Sequence, residues 1–458
     1  MVGRRKLPLC GALAALTMLF CGGALAAPAG ASSGRLHFKP TVLKRAGGEP
    51  NVSISPSGKN VLVDGLDGSP PATLYRSTDH GRTFTKLHPN FDGQAGGGDW
   101  DMRWLNNHTV IAADLSIGSG IYIHRSTDAG RHWTTTSIDT DQYDRPWIDH
   151  FGRKRVYVVA KGFDNIPYLF RSTDGGKSFG TPPVPLIVYG IPGQGGPDPG
   201  GAFGTNWNAY VDHLTVDPHS GAVYVLYGID DANTYSLTQP LGAANHEYIA
   251  RLEHGQMISR EVYIGGPKAS FLAGFNWLTV DRHGTLYALL NGRTHGRWST
   301  RLVYSRDKGR TWSSPTDLGK RHGSNVYGSI AAGKPGVLSL IYLRGTKRDP
   351  SKPQAWYAEM ARVSHASTAR PRLIRDRPMA KPMHLKDICF DGIVCGAPGF
   401  GTDRNLLDYI WNAVDSHGRA YGVFSSDGPA THSNNSRTPD VVVLRQNGGP
   451  RHGHGGPS

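Results

Sequence analysis

Short runs of apolar and β-branched residues, separated by polar turns, recur along the chain from about residue 50 to residue 446. Residues 214–221 read Leu-Thr-Val-Asp-Pro-His-Ser-Gly, residues 278–284 read Leu-Thr-Val-Asp-Arg-His-Gly, and an apolar run follows each of them. A polar turn between two β-rich runs predicts a β-hairpin. Similar units occupy residues 52–58, 147–152 and 412–418, and weaker ones occupy residues 103–107 and 328–333. The pattern therefore predicts an all-β protein built from seven related units.

A second repeat has the form Ser-x-Asp-x-Gly-x-x-aromatic and begins at Ser77, Ser126, Ser172 and Ser305. An aspartate in such a turn accepts hydrogen bonds from backbone N–H groups and from the serine hydroxyl, while the glycine takes a positive φ. We interpret the four repeats as turns between the outer strands of a unit, with a structural and not a catalytic role. Residues 251–255 stand where the repeat of a further unit is expected.

These four segments are Asp boxes, and through them the chain resembles the BNR/Asp-box repeat proteins, the sialidase-like β-propellers. The resemblance implies four-stranded antiparallel blades with the boxes at the blade periphery, away from any active site. Seven hairpin units predict one seven-bladed β-propeller over residues 27–446; six blades, as in sialidases, are the alternative. A strand near residues 35–43 is expected to complete the last blade, so that the ring closes without an open sheet edge.

The N-terminus has the order of a secretory signal peptide. Arg4, Arg5 and Lys6 precede an apolar run, and Ala24-Leu25-Ala26 supplies a cleavage site with small residues. We predict that residues 1–26 are removed and that the mature protein is secreted, extracellular or periplasmic, by the Sec or the Tat route. No other stretch is apolar for long enough to span a membrane. Residues 447–458, rich in Gly and His, are expected to form a flexible tail.

Composition narrows the partners. The 60 glycines and 31 prolines agree with many short strands and turns, and the 38% hydrophobic content excludes a disordered chain. The net charge is +14, of which the signal segment carries three cations. The remaining basic residues are scattered, which indicates a solvated surface and disfavours nucleic acid. Cys389 and Cys395 remain after cleavage, and two cysteines in an exported chain predict one disulfide.

Alignment of the seven units by their turns gives a column of oxygen-bearing side chains where the inner strands begin. The column contains Asp101, Asp144, Asp212 and Asn276, and beside it or nearby lie Glu49, Trp100, Arg145, Trp147, His213, Trp277 and Tyr409. Carboxylates beside indole rings suit a sugar, since the former bind hydroxyl groups and the latter cover C–H surfaces. The same oxygens suit Ca²⁺. The structural interpretation is that these side chains cap N–H groups of the inner strands. The sequence leaves the sugar, calcium and structural alternatives open.

The resemblance to sialidases also implies a catalytic set. It consists of three arginines, an aspartate that acts as acid and base, and a tyrosine nucleophile with a glutamate partner. Arg103 and Arg145 supply two arginines. Where the family has an Arg-Ile-Pro segment, this chain has Glu49-Pro50-Asn51. Among the five glutamates of the mature chain, Glu49 is the one expected at the channel mouth. The set is therefore incomplete, and the sequence leaves open whether the protein is an enzyme.

The function that these residues favour is recognition, with or without hydrolysis, of extracellular or cell-wall glycans at the central channel of a monomeric propeller. A hydrolase would use Asp144 and Asp212 as its carboxyl pair. Two other hypotheses are a non-catalytic propeller that binds protein partners and a metal-dependent lactonase or lyase. No cofactor is expected, with a structural calcium ion as the alternative.

Overall fold

The structure is a computed structural model that describes residues 34–66, 72–93, 98–116, 120–139, 143–162, 166–187, 208–230, 245–266, 269–271, 274–390, 395, 402–432 and 438–453. In these ranges the chain forms strands and one short 3-10 turn, Phe91–Gly93. The first fourteen strands are β1 (His37–Leu43), β2 (Val52–Ile54), β3 (Val61–Gly65), β4 (Thr73–Ser77), β5 (Thr85–Lys86), β6 (Gly98–Trp104), β7 (Val110–Ser116), β8 (Gly120–Ser126), β9 (Thr134–Asp139), β10 (Tyr143–Phe151), β11 (Arg155–Gly162), β12 (Pro167–Ser172), β13 (Gly180–Ile187) and β14 (Asn208–Val216). The other fourteen are β15 (Val223–Asp230), β16 (His246–Glu253), β17 (Gln256–Ile264), β18 (Trp277–Val280), β19 (Leu286–Thr294), β20 (Arg297–Ser305), β21 (Thr316–Asp317), β22 (Asn325–Ala332), β23 (Val337–Gly345), β24 (Trp356–Ser364), β25 (Arg372–Asp376), β26 (Trp411–Val414), β27 (Ala420–Ser426) and β28 (Asp440–Gly448).

The strands form seven four-stranded antiparallel blades, as the hairpin units predict. Blades 1 to 6 are β2–β5, β6–β9, β10–β13, β14–β17, β18–β21 and β22–β25, and blade 7 contains β26, β27, β28 and β1. The innermost strands β2, β6, β10, β14, β18, β22 and β26 each contact the next, and β26 contacts β2. The ring is therefore closed, and the protein is a seven-bladed β-propeller. The outermost strands of blades 3 and 4 also pair with each other in parallel, at Leu186–Met257 and Ile187–Ile258.

The N-terminal strand closes the ring. Strand β1 pairs antiparallel with β28 along its whole length, from His37 opposite Gly448 to Leu43 opposite Val441. Leu36, Phe38 and Leu43 are buried there, so the segment packs its apolar side chains against blade 7. The expectation that a strand near residues 35–43 completes the last blade is confirmed.

The four Ser-x-Asp-x-Gly turns join the third and fourth strands of blades 1, 2, 3 and 5, far from the innermost strands. In blade 5 the Ser305 hydroxyl donates to Asp307 Oδ1 (2.8 Å), and the Thr311 hydroxyl donates to Asp307 Oδ2 (2.6 Å). Hydrogen bonds from the Thr311 side chain and backbone lower the pKa of Asp307 to about 2. Gly309, at φ 81°, takes a conformation that favours glycine. The carboxylate is thus occupied by its own turn, as a structural role requires.

Blade 3 differs from the alignment made on sequence. Alignment of the hairpin units by their turns places Asp149 in the turn of the unit at residues 147–152. In the structure β10 continues to Phe151, and the turn follows at residues 152–154. Asp149 Oδ2 instead accepts a hydrogen bond from the backbone N–H of Val216 in blade 4 (2.7 Å). Asp144 therefore does not share the depth of Asp212 and Asn276, which alignment by turns implied.

Residues 449–453, part of the predicted flexible tail, lie against blades 6 and 7. His452 is buried, its backbone N–H donates to Gly418 O (2.8 Å), and its carbonyl accepts from Lys334 N (2.8 Å). The predicted signal peptide and the last five residues lie outside the described residues. No helix among the described residues is long and apolar enough to cross a membrane.

Candidate functional site

The channel of the propeller has two ends. We call the end at which the inner strands begin the loop end, and the end at which the inner hairpins turn the turn end. Between them lies a layer of packed rings, the aromatic layer, formed by Trp147, His213, Trp277, Tyr409 and Trp411. Ring centroids in this layer are 4.6 to 6.3 Å apart. All five residues are buried, so this layer fills the middle of the channel.

At the loop end, four acidic side chains and one arginine form what we call the loop-end cluster: Glu49, Asp99, Asp144, Arg404 and Asp408. The backbone N–H of Asp408 donates to Glu49 Oε1 (3.0 Å), and Arg404 forms an ion pair with Asp408. Burial, together with the charges of Asp99 and Asp408, raises the pKa of Glu49 well above its ordinary value. Its surroundings therefore favour the protonated form of Glu49.

Asp144 is the exposed member of this cluster. Desolvation of the carboxyl group by the surrounding protein and the negative charges of Asp99 and Asp408 raise the pKa of Asp144 to about 6, although part of the residue reaches the surface. Lys161 acts in the opposite direction. A carboxyl group with a pKa near 6 can donate or accept a proton close to neutral pH, which is the property that general acid–base catalysis requires.

Arg145 forms the floor beneath the cluster. Its guanidinium lies 3.7 Å from the centre of the Trp147 ring and 4.2 Å from that of Tyr409. The residue is only 4% exposed, and its three side-chain nitrogens have no hydrogen-bond partner among the residues that the structure describes. Buried polar groups normally have partners. The guanidinium therefore keeps its donors available to a ligand at this end.

Strained backbone accompanies these residues. Glu49, Asp99 and Arg145 have positive φ values of 46°, 52° and 45°, and none of them is glycine or asparagine. The strand registers of blades 2 and 3 shift just after Asp99 and Arg145. Such bulges redirect side chains at strand ends and are common beside binding sites.

Three members of the predicted column lie deeper and connect blades. Asp101 Oδ2 accepts from Ile148 N in blade 3 (2.9 Å), and Asp212 Oδ1 accepts from Asn276 N in blade 5 (2.8 Å). The Asn276 side chain in turn donates to Glu247 Oε1 (2.9 Å). Asp101, Asp212 and Asn276 are only 0–1% exposed. They therefore cap inner-strand N–H groups, as the structural interpretation states.

Trp100 lies outside the channel. Its ring stacks on His124 at 5.1 Å and packs against Phe91 and Trp133 in the hydrophobic layer between blades 1 and 2. The structure therefore brings Glu49, Asp144, Arg145, Trp147 and Tyr409 together at the loop end. It places His213 and Trp277 in the aromatic layer beside the turn end, and Trp100, Asp101, Asp212 and Asn276 within or between blades.

Sequence reasoning missed Asp99, Arg404, Asp408 and Glu247. Asp99 directly precedes the Trp100-Asp101 pair, and Asp408 directly precedes Tyr409, so proximity in sequence was the available signal. Sequence spacing predicts a long insertion at residues 364–408, but β25 lies within that range as the fourth strand of blade 6. Arg404 and Asp408 come from the shorter insertion between β25 and β26, which thus contributes to the loop-end cluster. The same insertion carries the predicted disulfide, and Cys389–Cys395 is confirmed.

A second polar group lies between this insertion and blade 7. His384 Nδ1 is 2.7 Å from Asp427 Oδ1, and its Nε2 is 2.9 Å from the carbonyl of Asp387. His384, Asp403 and Asp427 are the one trio among the described residues whose ligand atoms lie close enough to hold a metal ion. Both ring nitrogens already face acceptors, and Lys386 Nζ is 2.8 Å from Asp403. This chemistry suits an imidazolium held by carboxylates better than a cation site, and the calcium alternative stays a prediction.

This group predicts a pH-dependent stability. Hydrogen bonding and charge from Asp427, opposed by burial, raise the pKa of His384, whereas the pKa of Asp427 is lowered. The His384 contribution is complete below its unfolded pKa of about 6.5 and is lost as the pH rises through the raised folded pKa. The Asp427 contribution is complete above its unfolded pKa of about 3.9 and is lost as the pH falls through the folded one.

His384→Gln should therefore destabilise the protein by about 2 kcal/mol at pH 6 and remove the loss of stability on the alkaline side. Urea denaturation from pH 5 to pH 9 measures both effects. The exposed His365→Gln serves as the control. Equal pH profiles for His384→Gln and the unmodified protein would show that His384 is not the titrating group.

Comparison with known proteins gives the fold and no family. No family model matches the chain, and no curated protein matches it. Among solved structures, a polysaccharide lyase of family PL25, an ulvan lyase, aligns with a TM-score of 0.51 at 9% identity, over 91% of this chain and 96% of that chain. A protein of unknown function from Dyadobacter fermentans aligns with a TM-score of 0.47 at 14% identity, over 90% and 97%. YCF48, solved with a D1 peptide, aligns with a TM-score of 0.46 at 12% identity, over 89% and 94%.

Proposed function

We propose that this protein is a secreted glycan-recognition propeller that binds and hydrolyses an extracellular or cell-wall glycan at the loop end of its channel. One observation carries the proposal. The exposed Asp144, with a pKa near 6, shares the loop end with a buried arginine, Arg145, which interacts with the charges of Asp99 and Glu49 and has no hydrogen-bond partner among the described residues. The remaining carboxyl groups of the loop-end cluster surround this pair.

The chemistry of the cluster matches a sugar. A carboxylate accepts hydrogen bonds from sugar hydroxyl groups, and a protonated carboxyl group can also donate one. The guanidinium of Arg145 can donate to ring or hydroxyl oxygens. In this proposal Asp144 donates its proton to the glycosidic oxygen, because its raised pKa keeps a fraction of the group protonated near neutral pH. Asp99 or Asp408 supports the positive charge that develops on the sugar. A water molecule then forms the new bond to the anomeric carbon and gives up a proton, which restores protonated Asp144. Asp212, the predicted partner of Asp144, is buried and engaged with Asn276, so we assign it no catalytic step.

A sialidase is a narrower reading, which the arrangement favours less. Arg145 and Arg404 are at the loop end, but Arg404 is paired with Asp408, and Arg103 lines the turn end beside Asp149. Burial raises the pKa of Tyr409 well above its ordinary value, which disfavours a tyrosine nucleophile. The ulvan lyase that shares the fold is itself a polysaccharide-acting enzyme, and the Cys389–Cys395 disulfide agrees with export.

The test is turnover and binding of a glycoside panel, sialosides included, with and without EDTA. Asp144→Asn should lower kcat by about 10²–10⁴-fold while substrate binding is kept, because it removes a proton donor of the same shape. Arg145→Met should weaken binding. Glu261→Gln, an exposed carboxyl change on the outer strand of blade 4, is the matched control and should behave as the unmodified protein.

The other outcomes separate the hypotheses. Binding without turnover would reduce the proposal to recognition. Turnover abolished by EDTA would favour the metal-dependent lactonase or lyase. Failure of every glycan to bind would contradict the proposal and favour a propeller for protein partners.

A further inference from the structure

The turn end of the channel opens into a shallow depression on the side of the aromatic layer opposite the loop-end cluster. Its walls combine rings with polar groups. The residues that matter for its chemistry are Arg103, Asp149, His213, Trp277, Trp411 and Asn412. Sequence alignment placed His213 and Trp277 with the loop-end residues, but both line this other mouth.

His213 is the second, independent observation. The residue is 5% exposed, and neither Nδ1 nor Nε2 has a hydrogen-bond partner among the described residues. Its ring is held between Trp147 (4.7 Å) and Trp277 (4.6 Å), which fixes its position at the inner end of the depression. Buried donors and acceptors are seldom left unpaired, so this imidazole calls for an occupant with hydrogen-bonding groups.

Asn412, Trp277 and Trp411 add polar and apolar surface beside His213. Asn412 donates to Ser329 O, while its buried Oδ1 has no partner among the described residues. Trp277 and Trp411 meet edge to face, with centroids 4.6 Å apart and planes at 88°, and so form an apolar corner. A sugar ring has apolar C–H surface and polar hydroxyl groups, so it matches an indole corner that lies beside unpaired polar atoms.

The local charge is balanced, which sets the class of ligand. Arg103 forms an ion pair with Asp101 and lies 3.7 Å from Asp149 through its Nε. Burial and the charges of Arg103 and Arg145 lower the pKa of His213 well below its ordinary value, so the ring is neutral and offers one donor and one acceptor. A hydroxyl group both donates and accepts, whereas a carboxylate or phosphate only accepts and would need a free cation.

We propose that the turn end of the channel is a second carbohydrate site, which takes one neutral pyranose with a hydroxyl group directed at His213 and its C–H surface against the edges of Trp277 and Trp411. This site lies at the opposite end of the channel from the loop-end site, and its local charges are balanced. It requires no catalysis at the loop end.

The test is a titration of the full chain with neutral monosaccharides, D-glucose, D-galactose and L-rhamnose, and with D-glucuronate as the anionic comparison. Calorimetry and tryptophan fluorescence report binding, since Trp277 and Trp411 form the site. At least one neutral sugar should bind, and His213→Phe should weaken it about tenfold or more by removing both nitrogens while keeping a ring. The thermal midpoint of His213→Phe should stay close to that of the unmodified protein, because phenylalanine keeps a planar ring in the aromatic layer.

A second variant guards against local repacking. Pro218→Trp changes a partly exposed turn residue at the rim and should block the mouth without touching the aromatic layer. Glu261→Gln is the control. The proposal is overturned if no neutral sugar binds, if affinity is unchanged in both His213→Phe and Pro218→Trp, or if the affinity is lost in Asp144→Asn and kept in His213→Phe, which would assign the sugar to the loop end.

Discussion

A chain that begins at Arg45 should fail to fold, whereas a chain that begins at Gly34 should fold. The difference between them is strand β1, the outermost strand of blade 7. Its loss exposes the apolar surface that Leu36, Phe38 and Leu43 bury and leaves the whole edge of β28 unpaired. Each such side chain contributes about 1.5–3 kcal/mol, so the three together are worth about 5–9 kcal/mol. That is comparable with the total stability of a typical domain, about 5–15 kcal/mol.

Circular dichroism, tryptophan fluorescence and size-exclusion chromatography of the two chains measure the effect. The shorter chain should be unfolded or aggregated, because an open apolar strand edge pairs with other molecules. A peptide of residues 34–45 added in trans should restore part of the folded population. A shorter chain that melts cooperatively at the temperature of the longer one would show that the other six blades and β26–β28 suffice.

Asp101→Ala should give the second largest loss, about 3–5 kcal/mol. One carboxylate here serves three blades: it accepts from Ile148 N in blade 3 (2.9 Å) and from Asn51 Nδ2 in blade 1 (3.1 Å), and pairs with Arg103 in its own blade. Its removal leaves two buried donors and a guanidinium of 7% exposure without their acceptor. Most of the cost is the loss of the acceptor for two buried N–H groups, because Arg103 keeps Met102 O (2.8 Å) and Asp149 (3.7 Å) as partners.

Urea denaturation at pH 7 gives the free energy of unfolding for this series. Asp101→Asn keeps the shape and one acceptor oxygen, so it should cost less, about 1–3 kcal/mol. Asp144→Asn is the matched control from the same predicted column. It should not destabilise the protein, because the raised pKa of Asp144 means that the folded state disfavours its charge. Similar losses for Asp101→Ala and Asp144→Asn would mean that the bonds of Asp101 to neighbouring blades contribute little.

The contrast between Asp101 and Asp144 shows where sequence reasoning about the site stops. Both were placed in one column by counting back from a turn residue, and the count fails in blade 3 because β10 runs past Asp149. An aspartate can cap a turn or accept from a neighbouring blade, and local sequence does not distinguish these uses. The members of the loop-end cluster come from the starts of blades 1, 2 and 3 and from the insertion before blade 7, so their proximity arises from ring closure.

The sequence by itself determined the local structure: the hairpins at each polar turn, the outer Ser-x-Asp-x-Gly turns, seven blades, the closing strand β1, and the disulfide. Each depends on residues that are near in sequence or on a repeat that sequence displays. Only the tertiary structure decided that Asp101 and Asp212 cap neighbouring blades, that Asp144 and Arg145 lie together beside Glu49 and Tyr409, and that His213 faces the other mouth. Those relations depend on how blades from distant parts of the chain meet around the axis, where burial and neighbouring charge set what each side chain does.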